Sequence, residues 1–563
     1  MLPAANPRQS FRNFRAFMGL IQEANGVESR DAGTQTELQI DTAPPEKQLP
    51  PGVWLHIFRY LSVVQLKKVR RVCRGWKQVV DGNPRLLSRM VLMFPAGKIM
   101  DEHFELGCKM RIPSVAIEGA RIISFTSRLS HDKPWWTSIS RRLTSLSLDD
   151  TKICVFELAR MLKQSPHLEE LTLVNLSFPP YNLSRVVKCD PLRRMRKFAV
   201  FGQQYDVIFK FFGEAFPRLK ELECDDPLED QDDDEELVHY LKTAQNSLEA
   251  IKIAGTNAIL DTLHTLKQLE LKQIHLVSVA APLKVLRLVQ MHPTITVLIL
   301  KQCMLSNADI AGIGRALPHL RCFESCVLPN PNHPSEYWQP RFLATMPKLE
   351  WLAISGYTSG KSLNARFDGI GLMGLRELRL SNLQINKPGH LLRFSCNIFR
   401  VALVNVKYQS WSDMFDSIQY DMVWSLRIWA VKVENQTENL ICRFRNLRLL
   451  ELCDLPMNES LLVTIFELTS VLEGVRIERL EHATDQVVRV MVSKNGATLK
   501  KLSLRSVEVT DRTADHIIEA CGCLELLDID DCEALSDAAI ARLKTCGRFE
   551  LKSHFEIIEE AAW

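Results

Sequence analysis

The feature that most constrains this chain is a frame of aliphatic residues, L-x-x-L-x-L, that keeps returning from Leu143 onward. Leu143-x-x-Leu146-x-Leu148 is followed by Leu168-x-x-Leu171-x-Leu173. Clear later copies start at Leu219, Leu248, Leu349, Leu375, Leu447, Leu472, Leu499 and Leu524, and looser ones at Met195, Ile295, Leu320, Ile398 and Val423. Leu271-x-x-Ile274-x-Leu276 divides the interval from Leu248 to Ile295 almost evenly, so Leu266 and Leu283, which open similar frames, are assigned to helices. Successive starts then fall 23 to 29 residues apart over sixteen frames. A period of that size marks stacked like units, because 563 residues exceed what one ordinary core holds. Helical stretches lie between the frames, such as Phe156–Leu162, Ala308–Leu317 and Thr513–Cys521. Each unit is predicted as a strand plus a helix, neither able to bury its apolar side alone. The fold expected for 143–563 is an α/β solenoid, a horseshoe with strands inside and helices outside.

A second stretch, Leu49 to Trp76, reads LPPGVWLHIFRYLSVVQLKKVRRVCRGW. Pro50 suits the head of a helix, where its missing N–H would be unpaired anyway. Val53, Leu55, Ile57, Phe58 and Leu61 recur at helical steps. Ser62 is placed to cap a second helix with Val63, Val64, Leu66 and Val69, and a third carries Val72, Cys73, Trp76, Val79 and Val80. So small a unit cannot bury that many apolar side chains, and some are expected to face a partner. The stretch resembles the F-box motif in three places: Leu49-Pro50, Ile57-Phe58-Arg59-Tyr60-Leu61 and Val72-Cys73-Arg74-Gly75-Trp76. It departs where the family usually carries an acid in the first turn, since Gly52 stands here. The closing repeats, with Cys532 and Cys546, are similar to the cysteine-containing leucine-rich repeats common in F-box proteins.

The resemblance implies a non-catalytic substrate receptor of a Skp–cullin–F-box ubiquitin ligase. A Skp-family adaptor would be bound through Leu49, Pro50, Val53, Ile57, Phe58, Leu61, Leu66, Val72, Cys73 and Trp76, and a cullin–RING ligase through the adaptor. Two other roles stay open: a non-degradative scaffold on the same adaptor, and a sensor of a small anionic ligand. The expected organisation is a disordered leader at 1–46, an F-box at 47–90, a linker and N-terminal cap at 91–142 that includes Trp135-Trp136, and the solenoid.

In the leader, FRNFRAFMGLIQ reads as a short partner-binding helix ahead of a mitochondrial targeting helix. Thr34-Gln35-Thr36 resembles the peptide that dynein light chain takes as an added strand. No apolar run reaches the length of a membrane span, and a formal charge of +3 gives no argument for nucleic acid. Fifteen cysteines without dense local pairing suggest buried thiols in a reducing compartment, cytoplasmic or nuclear.

No cofactor or metal is expected. Cys521, Cys523, Cys532 and Cys546 fall where small side chains pack between repeats, not at zinc-ligand loops. Gly369, Gly371 and Gly374 match G-x-G-x-x-G, but the last leads into a strand where a dinucleotide site needs a helix. Cys73 is expected buried, as part of the F-box pattern.

Strand side chains alternate, so the residues between the frame leucines should line the concave face. Early repeats give Ser145, Ser147, Asp149, Glu170, Thr172, Glu221, Glu223 and Asp225; later ones give Trp351, Glu377, Arg379, Arg400, Arg427, Trp429, Arg476, Lys501 and Arg505. The face is acidic early and basic with two Trp late. Trp351, Arg379, Arg400, Arg427, Trp429, Arg476 and Arg505 are the expected site for an acidic or phosphorylated segment of a target protein. The run EDQDDDEE at 229–236 reads as a solvated loop and speaks against nucleic acid at that end.

Overall fold

The computed structural model describes residues from Pro50 to Leu551. Its main interruptions are 62–64, 95–113, 123–134, 179–188, 225–234, 329–340, 357–362, 366–373, 386–396, 412–421 and 436–445. The leader, with Thr34–Thr36 and the FRNFRAFMGLIQ stretch, lies outside the described residues, as do Leu49, Gly369 and Gly371. The chain packs as two units, Met1–Val80 and Asp81–Trp563.

In the first unit a helix spans Pro51–Phe58, with Pro51 in its first turn and neither a side-chain cap nor an acid there. Such a start is weak on local chemistry, so packing must hold it. Trp54 and Phe58 turn inward against Trp76 of the Arg74–Asp81 helix, with ring centroids 4.5 Å (Trp54–Trp76) and 5.5 Å (Phe58–Trp76) apart. Leu61, Leu66, Val69 and Val80 complete the buried set. Fully burying a side chain of this size contributes about 1.5–3 kcal/mol.

The second unit is built on one parallel sheet of nineteen strands. All sixteen frames open a strand two residues after their first aliphatic residue, from Ser145–Asp149 to Leu526–Asp530. Each strand pairs with the one from the neighbouring coil, as in Ser145↔Glu170, Arg400↔Ser425 and Lys501↔Leu526. The frame leucines are buried, for example Leu146, Leu148, Leu171 and Leu173, while alternate positions stay partly open. Leu283 lies in the Pro282–Met291 helix, and Leu266 ends the Asn257–Thr265 helix.

Many of the strands end in a sharp turn. The residue after the strand takes a left-handed backbone (φ 42–56°) at Asp150, Asn175, Ser278, Asn382, Asn405, Ala430, Asp454, Arg479, Ser506 and Asp531, and Gln302 takes it inside the Val297–Leu305 strand. Asn, Asp and Ser tolerate this conformation better than other non-glycine residues. Its N–H donates to the neighbouring coil, as from Asn175 to the Phe201 carbonyl at 2.9 Å and from Asn405 to the Trp429 carbonyl at 2.8 Å. Side chains continue the link: Asn405 donates to Asn382 Oδ1 at 2.8 Å, and Asn382 to Ser355 Oγ at 3.0 Å.

Three stretches add to or depart from the expected organisation. The linker and cap at 91–142 holds two further strands of the same sheet, Val91–Phe94 and Ser114–Glu118, the latter paired with Ser145–Asp149. The first of them lacks an aliphatic opener, since Arg89 stands two residues before its strand. Second, the coils from Trp351 to Asn435 carry further short strands, Leu363–Ala365, Leu383–Ile385, Lys407–Ser410 and Lys432–Asn435, which form a second parallel sheet. Third, the acidic run does not end as loop, because Glu235 and Glu236 open the Glu235–Ala244 helix, where its dipole favours them.

Several of the described outer helices are capped by side chains. Ser306 and Asp309 form a reciprocal capping box on Asn307–Ala316. Asp485 accepts from Thr510 N (2.8 Å), Thr510 Oγ1 (2.6 Å) and Thr513 Oγ1 (2.6 Å), and Asp511 accepts from Ser536 N (2.8 Å) and Oγ (2.7 Å). Each carboxylate ties the start of its helix to the start of the next.

Candidate functional site

Two surfaces follow from this framework, one on each unit. On the first, the sequence-predicted adaptor residues divide by burial. Phe58, Leu61, Leu66 and Trp76 are core, and Ile57 is half-buried. Pro50 is exposed, Val53 is 41% and Val72 48% exposed, and Tyr60, absent from the predicted set, is 66% exposed. Cys73, expected buried, is exposed as well, with its Sγ accepting from Trp76 N at 3.4 Å at the start of the third helix. Among the described residues the surplus of apolar side chains is therefore real, and it resides in Pro50, Val53, Tyr60 and Val72. The resemblance alone could not separate motif residues that hold the unit together from those left on its surface. A Cβ at Gly52 would meet nothing within 4 Å, so the missing acid leaves open space.

On the second unit the open face of the sheet is not the row of free cations the sequence suggested. Arg427 Nε donates to Glu451 Oε2 at 2.6 Å, and that carboxylate is fully buried. Arg505 Nε donates to Asp528 Oδ2 at 2.6 Å, and Asp528 also accepts from Ser503 at 2.9 Å. Arg476 forms a close bidentate contact with Glu478. Burial works against the charge of Arg476, yet the hydrogen bond to Glu478 and that carboxylate's charge leave its pKa raised. These carboxylates sit on the same or the adjacent rung, as the pairings Arg427↔Glu451↔Arg476 and Glu478↔Arg505 require. Trp429 lies between two guanidiniums, 5.0 Å from Arg427 and 5.6 Å from Arg476, with its indole N–H buried and unpaired.

Trp351, expected open, is buried at 7% exposure in a small apolar cluster with Val297, Cys322 and Ala353. All four occupy face positions on three adjacent strands, so the aromatic side chain finds neighbours there that cover it. Arg400 is different again. Its Nη1 makes only a long contact with Glu377 (3.4 Å), its Nε is buried without a partner, and it stacks over Trp424 at 4.9 Å. Trp424 in turn stacks on Phe399, centroids 5.8 Å apart and planes within 10°. Neither ring was singled out from sequence, because each precedes its strand by one residue and lies outside the alternation that defines the face.

That preceding column carries a ladder of ion pairs. Glu249 bridges Lys220 (2.5 Å) and Lys272 (2.6 Å), Glu350 bridges Arg321 (2.8 Å) and Arg376 (3.7 Å), and Glu473 bridges Arg448 (3.2 Å) and Lys500 (2.5 Å). Hydrogen bonds from Lys220 and Lys272 hold Glu249, and one from Arg321 holds Glu350, below the usual carboxylate range.

Cys303, Cys453 and Cys521 behave as packing residues. Burial pushes the thiols of Cys303, Cys453 and Cys521 up to about 12, opposite to the shift that thiolate chemistry needs. Among the described residues no cluster of three His, Cys, Asp or Glu side chains could hold a metal ion, and no helix is long and apolar enough to cross a membrane.

Comparison with known proteins agrees on the first unit. Residues 47–93 match the family model of the F-box-like domain. This chain contains an F-box-like domain. No curated protein matches the sequence. Similar solved structures include a TLR13–ssRNA13 complex, 14% identical, covering 78% of this chain and 71% of that one at a TM-score of 0.38. Another is an internalin (InlF) from Listeria monocytogenes, 11% identical, covering 75% of this chain and 89% of that one at a TM-score of 0.24. At these scores the likeness carries no inference, and the fold stands on the register of its own strands.

Proposed function

We propose that this chain is the target-binding subunit of a Skp–cullin–F-box ubiquitin ligase. The F-box-like domain would hold a Skp-family adaptor, and the leucine-rich coils would hold a protein to be ubiquitinated and degraded. The observation that carries this reading is the match at 47–93 together with the apolar residues Val53, Tyr60 and Val72 left exposed on that unit. Apolar groups of this kind, left outside a domain with its own aromatic core, are what a partner would cover.

The chain's contribution is proximity: it would bring target lysines to a conjugating enzyme carried elsewhere in the assembly. Such a role belongs to the cytoplasm or nucleus. The test is affinity capture of the full chain with and without proteasome inhibition. Captured proteins that are ubiquitinated and accumulate under inhibition support a degradative receptor. Capture of the adaptor with partners that are neither ubiquitinated nor stabilised would favour a scaffold.

A further inference from the structure

The second parallel sheet ends on an open strand. Its order runs Leu363–Ala365, Leu383–Ile385, Lys407–Ser410 and Lys432–Asn435, so the last of these has a ladder on one side only. Lys432 N–H donates to the Val406 carbonyl at 2.9 Å. Along a parallel ladder, a residue that turns its backbone groups to one neighbour is followed by one that turns them to the other side. Val433 therefore points its N–H and C=O away from Lys407–Ser410, and among the described residues nothing meets them.

A proline explains why the ladder stops there. Two residues past the left-handed position, regular coils donate to the coil before: Ser177 N–H to the Thr151 carbonyl at 3.1 Å, and Lys432 N–H to Val406. In the next coil that step is occupied by Pro456, which has no N–H. The chain turns instead into the Glu459–Glu467 helix, where Asn458 Oδ1 accepts from Leu461 N at 2.8 Å.

A groove of about 470 Å³ opens at this change of coil, lined by Val431 and Lys432, by Pro456 and Met457, and by Glu481 and His482. These pairs belong to three successive coils, whose strands Ser425–Trp429, Leu449–Cys453 and Gly474–Glu478 are neighbours in the main sheet. The outer two coils are two rungs apart, about 9.6 Å, so a chain laid between them would run about 4.8 Å from Lys432–Asn435, the spacing of a ladder. The groove's volume holds about three residues of extended chain.

Charge marks the same edge. Lys432 stands in register with Lys407, and neither side chain has an ion pair among the described residues. Like charges opposite one another are destabilising, and an acid on the open flank of Lys432 would relieve them. A second copy of this strand in the same register would bring a further lysine to the row, which disfavours self-pairing.

We infer that Lys432–Asn435 takes an extended segment of a partner protein as a fifth strand, its backbone bonded to Val433 and an Asp or Glu standing beside Lys432. This site rests on the reading of the coils as target-binding and is independent of adaptor capture.

The experiment is selection of a random twelve-residue peptide library on the full chain, with amide hydrogen exchange read before and after the enriched peptides are added. The Val433 amide should exchange freely in the unbound protein and at least tenfold more slowly in the complex. Enriched peptides should carry an Asp or Glu within a run of strand-forming residues such as Val, Ile and Thr. Val433→Pro removes the outward N–H and leaves the ladder to Lys407–Ser410 in place, a change edge strands tolerate, and should weaken binding by about tenfold. Lys432→Glu sets a carboxylate beside the peptide's acid and should weaken binding by about threefold to tenfold. Lys432 is exposed, so its variant stays informative even if the proline disturbs folding, which far-UV circular dichroism would show.

No enrichment, enrichment of basic peptides, or a Val433 amide already protected in the free chain would overturn the site. So would affinities that ignore both Val433→Pro and Lys432→Glu in folded protein. Peptides that bind with the Val433 amide unchanged would overturn this edge while leaving target binding to another place on the coils, and retained adaptor capture in the same preparation would keep that failure apart from the F-box-like unit.

Discussion

Replacing Glu451 with alanine tests how the open face is organised. Its carboxylate is fully buried, and Arg427, only 11% exposed, donates to it at 2.6 Å. Removing one partner of a buried pair costs about 3–5 kcal/mol, because the other charge stays out of water. Arg427 lies 5.0 Å from the Trp429 ring in the unaltered protein as well, so that contact offsets nothing, and Glu451→Ala should cost about 3–5 kcal/mol. The double variant Arg427→Met/Glu451→Leu removes both charges and should cost less than about 1 kcal/mol. Repeat stacks need not unfold in one step, so the assay is native-state hydrogen exchange on the strands from Ser425–Trp429 to Lys501–Arg505, read beside urea denaturation. A single-variant cost below about 1 kcal/mol, or a double variant as damaging as the single, would refute the claim that these arginines are neutralised within the fold.

Four further expectations follow from the same coordinates. Burial opposes the charge of Asp485, but hydrogen bonds from Thr510 and Thr513 hold its pKa below the usual value; with a depressed folded pKa, its contribution is full above the ordinary carboxylate pKa of about 4 and is lost as pH falls through the lower folded value. Asp485→Asn should flatten the acid limb of the C-terminal coils' stability, and an unchanged acid profile would contradict this. Among the cysteines of the described residues, Cys73 should react first with an alkylating reagent in the native protein, whereas Cys303, Cys453 and Cys521 should stay protected until unfolding, as peptide mapping would show. Gly52→Glu fills open space in the first turn of the first helix and should stabilise the F-box-like unit by about 1 kcal/mol, measured as its denaturation midpoint. Phe58→Asp and Leu61→Asp should unfold that unit, visible as lost protection of Trp76, so they cannot separate binding from folding.

The sequence made the coil register legible because aliphatic residues at a fixed offset must face the core: each of the sixteen frames opens a strand at the same step. What it hid is what lies between coils. Glu451 sits opposite Arg427 only once consecutive frames are laid side by side, since the two are twenty-four positions apart in the chain. The same alignment, applied column by column, would have exposed the Glu249, Glu350 and Glu473 bridges. Trp351 was misjudged because alternation reports which face a side chain leaves from, not whether its neighbours Val297 and Cys322 cover it. The further short strands from Leu363 to Asn435 left no signal, being too brief for a period to show. In the F-box-like unit the motif was plain, yet its core and surface halves separated only when Trp54, Phe58 and Trp76 were seen to pack together.

The central claim is that the F-box-like unit binds a Skp-family adaptor through residues it leaves exposed. The direct measurement is calorimetric titration of the full chain with a Skp-family adaptor, comparing the unaltered protein with Val53→Glu/Val72→Glu. The account predicts a stoichiometric complex for the first and at least a hundredfold loss for the second, about 2.7 kcal/mol, with the protection of Trp54, Phe58 and Trp76 unchanged. An unaltered protein that fails to bind, or a double variant that binds as well, would contradict it.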